Sequence, residues 1–289
     1  MSVFFFTDIH GHLQMFHTMR DWCYKQNPNC IIVYGGDAAD RGEHGYQIIK
    51  ELLNDSHFIY LYGNHEDLFV KAADELIGCY ACDDEHYIKL HNCKTEEEAK
   101  EIIIDNCNKF NIALHLQNGG GRTLIDWLLD GADEEIIDKL RSLPRIYQYK
   151  NIDFCHAGGG LHAFDDVCKS LNNKESIPHY AETHIIWDRN SLPLGWKTGR
   201  ICVFGHTPSF NLPNGIYGRD KSMTNAHPCA WQDHMGGKEK RGGWKIDMDT
   251  GAIWSNRGFV LDCNLLELQG FELKNEEIHL LNYNMEINT

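Results

Sequence analysis

The sequence predicts an α/β fold on three observations. Apolar runs of four to six residues, rich in Val, Ile, Phe and Tyr and closed by Gly, recur along the chain in the manner of buried strands. The first three start at Val3, Cys30 and Phe58, with the helix-like stretches Leu13–Gln26 and Gly45–Asn54 between them. That spacing fits strand–helix–strand units of roughly 30 residues. Each run also stops abruptly at side chains able to do chemistry.

Val3-Phe4-Phe5-Phe6 leads into Asp8-Ile9-His10-Gly11, the run 30–34 into Gly35-Gly36-Asp37, and the run 58–62 into Gly63-Asn64-His65-Glu66. Further on, Ile152-Asp153-Phe154-Cys155 meets His156, and the run 201–205 meets His206. Ligands of such sheets bind beyond the carboxyl ends of the strands. Strand ends that repeatedly deliver Asp, His or Asn therefore predict one shared site. Residues 68–143 are polar with apolar residues at helical spacing, which predicts a helical insertion; Thr95 with Glu98 is a capping-box pattern within it. The stretch 218–243, rich in Gly, charge and His, predicts a long loop, and 244–248, 259–268 and 271–283 predict closing strands. The whole is expected to form a single domain, 1–289.

Composition bounds the function. A chain of 289 residues can bury roughly 75% of its unfolded surface without disulfide staples. With 42% apolar and 24% charged residues and 7 Pro, collagen-like, mucin-like and largely disordered readings are excluded. A formal charge of −15 argues against a nucleic-acid polymer as partner. The odd count of 11 Cys and the lack of a leader predict reduced thiols and a cytoplasmic location. The N-terminal apolar run is too short for a signal peptide or a spanning helix, so no membrane association is expected. The 17 His ask for a metal or acid–base explanation.

Asp8, His10, Asp37, Asn64, His156 and His206 offer two carboxylates, one amide oxygen and three imidazoles. Such a mixed set suits Mn, Fe or Zn better than Mg or Ca, and one bridging carboxylate can hold two cations about 3.5–4 Å apart. Cys is missing from the set, which argues against a structural thiolate zinc site. His65 follows Asn64, Asp40 and Arg41 follow Asp37, and Arg189 lies in Trp187-Asp188-Arg189. A His beside a carboxylate makes a general acid, and arginines clamp phosphoryl oxygens.

In their order, Asp8-Ile9-His10-Gly11, Gly36-Asp37-Ala38-Ala39-Asp40-Arg41-Gly42, Gly63-Asn64-His65-Glu66, His156 and Gly205-His206-Thr207-Pro208 resemble the calcineurin-like metallophosphoesterases. More narrowly they resemble the phosphoprotein-phosphatase branch with its lambda-phosphatase-like bacterial and phage members. Asp249-Thr250-Gly251-Ala252 is similar to the family's C-terminal segment. The resemblance covers the start of the chain, 150–206 and the end, and leaves out the helical middle and 218–243. It implies a central β-sandwich of two mixed sheets flanked by helices. It also implies two divalent metal ions, Mn2+ first among them with Fe or Zn as alternatives. Asp8, His10 and Asp37 would hold the first, and Asp37, Asn64, His156 and His206 the second. His65, oriented by Asp40, would protonate the leaving alkoxide, and Arg41 and Arg189, with Asn64 and His65, would contact the substrate. Hydroxide would attack phosphorus in line, with no phosphoenzyme. Thr7 departs from the Gly usual before the first Asp, and Arg200 competes with Arg189 for its role.

The substrate expected first is a phosphoprotein, at serine or threonine with tyrosine permitted; the alternative is a small-nucleotide phosphohydrolase such as a diadenosine tetraphosphatase. The negative charge disfavours RNA-end or cyclic-phosphate repair. A catalytically silent metal-binding adaptor is opposed by the intact His65, Asp40 and Arg41. Cys79-x-x-Cys82 with His86, His91 and Cys93 could hold an extra metal or simply supply buried thiols. His12 is expected to cap or pack at a helix start, and His227, Cys229 and His234 to be loop residues. The basic stretch 238–241 with Trp231 and Trp244 could hold a phosphate tail or a base, a solvated loop face being preferred.

Overall fold

The structure, a computed structural model, describes residues 1–80, 84–212, 222–232 and 242–281. The chain runs β1 (Val3–Phe6), α1 (Leu13–Gln26), β2 (Ile31–Tyr34), α2 (Gly45–Asn54) and β3 (Phe58–Tyr60). A run of helices follows: α3 (Asn64–Tyr80), α4 (Asp84–His91), α5 (Glu96–Asn106), α6 (Phe110–Gln117), α7 (Gly121–Leu129) and α8 (Glu134–Arg141). Next come β4 (Ile146–Tyr149), β5 (Ile152–Cys155), α9 (Leu161–Asn173), α10 (His179–Trp187), β6 (Ile201–Phe204), β7 (Cys229–Trp231) and β8 (Trp244–Asp247). The short α11 (Ala252–Ser255) leads into β9 (Arg257–Asp262), β10 (Glu267–Lys274) and β11 (Glu277–Leu281).

Two mixed sheets form. One has the order β11-β10-β9-β1-β2-β3 and the other β4-β5-β6-β8-β7. β1, β2 and β3 are parallel to one another, as are β5, β6 and β8, so their carboxyl ends gather on one side of each sheet. The two-residue period of a strand explains the layering. Val3 and Phe5 join Phe154, Val203, Ile246 and Leu261 in one buried cluster, whereas Phe4 and Phe6 belong to the larger cluster with α1. Phe5 stacks on Phe154 of the other sheet with ring centroids 5.3 Å apart, which marks the former cluster as the filling of the sandwich. Helices cover the outer face.

Three boundaries differ from the sequence reading. The helical segment begins at Asn64 rather than at 68, because Asn64-His65-Glu66 is both a strand-end motif and the first turn of α3; Glu66 and Asp67 there suit the positive end of the helix dipole. The expected strand 259–268 breaks at 263–266, and Phe271 lies inside β10, which turns into β11 through Asn275 and Glu276, both at positive φ. That is a two-residue hairpin of the primed kind, without the usual Gly. The expected loop contains β7, paired antiparallel with β8. A three-residue strand shows no periodicity, yet it buries Trp231 edge-on to Phe204 at 5.8 Å, with the indole N–H on Leu192 O. Trp231 is thus a core residue and not a stacking platform; 218–221 and 233–241, with the basic stretch and His234, lie outside the described residues. The capping box forms as read: Thr95 Oγ1 accepts from Glu98 N at 3.2 Å and Glu98 Oε2 from Thr95 N at 3.1 Å. Among the described residues, no helix is long and apolar enough to cross a membrane.

Candidate metal centre

The strand ends of both sheets meet at one cleft. Asp8, His10, Asp37, Asp40, Asn64, His65, His156 and His206 are all buried there, while Arg41 and Arg189 stand exposed at its edge. Their backbone is unusual. Asp8, His10, Asp37, Asp40, Arg41 and His206 all have positive φ, a region a non-Gly residue enters only when its surroundings hold it. Gly205 and Gly63 make room: a Cβ on Gly205 would collide with Asp8 Oδ2, and one on Gly63 with Asp37 Oδ1.

Asp37 is central. Its carboxylate belongs to two groups of converging donors, one with His10 and His65 and the other with His156 and His206. Asp37 Oδ2 is 3.6 Å from His10 Nε2, and Oδ1 is 3.2 Å from His156 Nε2. Asn64 Oδ1 faces His156 Nε2 at 2.9 Å and His206 Nδ1 at 2.7 Å. Asp8 is the outer member: its Oδ1 accepts from the His206 amide at 3.0 Å and its Oδ2 from Thr7 Oγ1 at 2.6 Å. Thr7, the departure from Gly, therefore orients a candidate ligand.

The donor set fits two divalent cations. His10 and His156 each turn Nδ1 to a backbone carbonyl, Ala39 O at 2.9 Å and Gly35 O at 2.8 Å. This is the arrangement that frees Nε2 for a metal and fixes the tautomer. His206 Nε2 is buried with no hydrogen-bond partner. Burial, then Arg41 for His10 and His156 for His206, holds both imidazoles well below their ordinary pKa, so they stay neutral with lone pairs exposed. Burial and then Asp249 drive the Asp8 carboxyl upward, the mark of a crowded anionic pocket. Burial opposes ionisation of Asp37 too, but His156, His65 and His10 outweigh it and hold Asp37 well below the usual range. Against the burial penalty, Asp37 and Asp8 push His156 up to about 10. A cation beside Asp37 would displace that proton, so metal affinity should rise with pH.

His65 and Asp40 form a buried pair, His65 Nδ1 lying 2.7 Å from Asp40 Oδ2. Arg41 reaches across with one guanidinium nitrogen 2.7 Å from His10 Nε2 and another 2.7 Å from His65 Nε2, its back 5.0 Å from the Trp254 ring. Arg189 Nη2 donates to His206 O at 3.4 Å from the opposite side. Arg200 does not reach the cleft. It lies at the amino end of β6, donating from Nε to the fully buried Asp153 at 2.7 Å, with Trp196 Nε1 on the same oxygen at 2.7 Å. Burial raises the Asp153 carboxyl, but hydrogen bonds from Arg200, Trp196 and Gln148 outweigh it and hold the pKa below the ordinary value. Its stabilisation is therefore complete above the unfolded value of about 3.9 and fades as pH falls through the lower folded value. Asp153→Asn should cost about 3 kcal/mol in urea melts at pH 7, and the gap to wild type should narrow at pH 3.

Two residues of the site escaped the sequence reading. Glu66 is fully buried and accepts from the backbone N–H groups of Asp37 (2.8 Å), Ala38 (2.9 Å), Ala39 (3.3 Å) and Gly63 (3.0 Å), and from Tyr60 Oη (2.8 Å). It holds the loops of Asp37 and Gly63 together. Asp249, just past β8, is buried against the site, and burial pushes its carboxyl up to about 6; the signal was the Asp247-x-Asp249 ending of one more strand.

The remaining candidates separate. His12 caps α1, its Nδ1 accepting from Met15 N at 3.4 Å. Cys79 is exposed, Cys93 Sγ donates to Thr95 O at 3.6 Å, and His91 Nδ1 lies 2.8 Å from Gly131 O. Among the described residues no metal-ligating group of three forms there, and Cys82 and the His86 side chain lie outside the description. Cys229 Sγ donates to His227 O, again without a ligand cluster.

The sheet ends thus bring a buried set of Asp, Asn and His donors, the His65–Asp40 pair and two exposed arginines to one cleft. The sequence profile of the calcineurin-like phosphoesterases matches residues 1–221, and the chain belongs to that family. Among solved structures it is similar to a metallophosphoesterase from Sphaerobacter thermophilus (12% identity, 98% of this chain and 88% of that one, TM-score 0.46). It is also similar to a provisionally assigned diadenosine tetraphosphatase (14%, 97% and 92%, 0.43) and to a protein serine/threonine phosphatase from Saccharomyces cerevisiae (14%, 95% and 80%, 0.44). These likenesses do not discriminate between substrates. No curated protein sequence matches the chain.

Proposed function

We propose that this chain hydrolyses phosphate monoesters at a dinuclear metal centre, with phosphoserine and phosphothreonine in proteins as its substrates and phosphotyrosine tolerated. The observation that carries the reading is Asp37 shared between two His-bearing donor groups, with Arg41 and the His65–Asp40 pair directly beside it. Asp8, His10 and Asp37 would hold one cation and Asp37, Asn64, His156 and His206 the other; the mixed N and O donors favour Mn2+, with Fe or Zn as alternatives. When bound, the cations supply hydroxide at neutral pH and offset charge on the phosphoryl oxygens.

The chain's own groups do the rest. Arg41 and Arg189 stand on two sides of the cleft and receive the phosphoryl oxygens, Arg41 leaving the imidazoles it now faces. His65 carries a proton on Nε2 to the departing alkoxide, while Asp40 holds Nδ1–H and stabilises the imidazolium. A cleft of about 660 Å³ opens beside Arg41, lined in part by His12, His17, His44 and Ile253.

The exposed Trp254 ring beside Arg41 favours a second reading, since a base could stack there and make a dinucleoside polyphosphate the substrate. One panel separates them. Mn2+-loaded protein is offered a phosphoserine peptide, diadenosine tetraphosphate, a cyclic nucleotide and an aryl phosphate. The peptide should give the highest kcat/KM. Preference for the dinucleotide by orders of magnitude would replace the first reading with the second. Turnover no greater than that of Asp37→Asn would leave only a silent adaptor.

A further inference from the structure

The helical insertion reaches the acid pair. Asp40 and Arg41 occupy consecutive left-handed positions, φ 69° and 64°, in a turn that gives the site both His65's partner and the phosphoryl-facing guanidinium. Two β-unbranched but bulky residues do not hold that backbone unaided. The corner between α6 and α7 supplies the support. Arg41 N–H donates to Gly119 O at 3.0 Å, and Gly119, itself at φ +93°, brings its backbone close under Arg41. Thr123, on the buried face of α7, bonds Asp40 twice: its Oγ1 accepts from Asp40 N–H at 3.1 Å and donates to Asp40 Oδ1 at 2.9 Å. Asp40 Oδ2 is left for His65 Nδ1 at 2.7 Å. His115 of α6 closes the far side, its Nδ1 3.4 Å from Asp40 Oδ2 and its ring stacked on Phe69. Thr123, Asp40, His65 and His115 are all buried, so no solvent replaces a lost bond.

We infer that Thr123 is a positioning residue for the general acid, and that the α6–α7 corner of the insertion locks the Asp40–Arg41 turn. Thr123 bonds to Asp40 and belongs to neither group of candidate metal donors. It fixes the carboxylate rotamer and backbone of Asp40, and through them the direction of the His65 proton. The inference deepens the proposed hydrolysis and rests on it for the role of His65. It also gives the insertion, which the family motifs leave out, a task at the site.

The test compares Thr123→Val, which keeps the shape, with Thr123→Ser, which keeps the hydroxyl. Kinetics use a phosphoserine peptide, whose alkoxide needs a proton, and p-nitrophenyl phosphate, whose leaving group does not. Thr123→Val should lose about 10-fold or more in kcat/KM on the peptide and less than about 3-fold on the aryl ester, a part of the roughly 10²–10⁴-fold a general acid contributes; Thr123→Ser should recover most of it. Equal losses on both esters, or none, would overturn the inference. A second readout needs no turnover: the exchange-protected His65 Nδ1–H proton resonance, assigned by its absence in His65→Asn, is recorded without added metal. It should be present in wild type and Thr123→Ser and lost or shifted in Thr123→Val. An unchanged resonance in Thr123→Val contradicts the lock. A wild-type protein inactive on both esters contradicts the proposed function, while the resonance still decides the lock.

Discussion

Asp37→Asn should reduce phosphate-ester hydrolysis by about 10³-fold or more and leave a folded protein that retains less than two equivalents of metal. The amide keeps the shape of the carboxylate, and Asn tolerates the positive φ at this position. It removes the carboxylate that, among the described residues, both donor groups share, within 3.6 Å of His10 Nε2 and 3.2 Å of His156 Nε2. Several kcal/mol of transition-state charge stabilisation go with the cations, and about 4 kcal/mol is a thousandfold in rate. Phosphate release and metal content of the purified variant check the outcome together. A variant with full activity and two metals would remove Asp37 from the centre.

Glu66→Ala should destabilise the fold by about 3–5 kcal/mol, because it strips a buried acceptor from four backbone N–H groups and a tyrosine hydroxyl and leaves them without partners. For a chain of this size that is a fall in Tm of about 10 °C, read by calorimetry on metal-free protein. Glu66→Gln should fall between the two, since its NH2 faces donors where an oxygen stood. A melting point unchanged in Glu66→Ala would mean that the loops of Asp37 and Gly63 are held by something else.

The strand-end residues were legible because their signal is local: an apolar run that stops at Asp, Asn or His, across a Gly for Asp37, Asn64 and His206. Every parallel strand ends on the same side, so Asp8, Asp37, Asn64, His156 and His206 needed no knowledge of contacts to be grouped. Glu66 escaped the sequence reading for a geometric reason. It is the neighbour of His65 in sequence, but neighbours on a helix point about 100° apart, so Glu66 turns to the loops while Asp40, from the preceding motif, meets His65. Arg189 and Arg200 look alike in sequence and differ only in which end of β6 they approach; the ion pair to Asp153 decides it. Thr123 gave no signal, as a buried threonine at a helix start reads as packing. β7 and the β10–β11 turn were missed because three residues are too few for periodicity and Asn275-Glu276 lacks the Gly of the common turn.

Under the proposed function, catalysis needs two cations in one cleft. Metal-free protein titrated with Mn2+, with phosphate release from a phosphoserine peptide followed at each addition, tests it directly. Activity should climb to a break at two equivalents per chain and vanish again with chelator. Full activity at one equivalent, or activity that survives chelation, would contradict it.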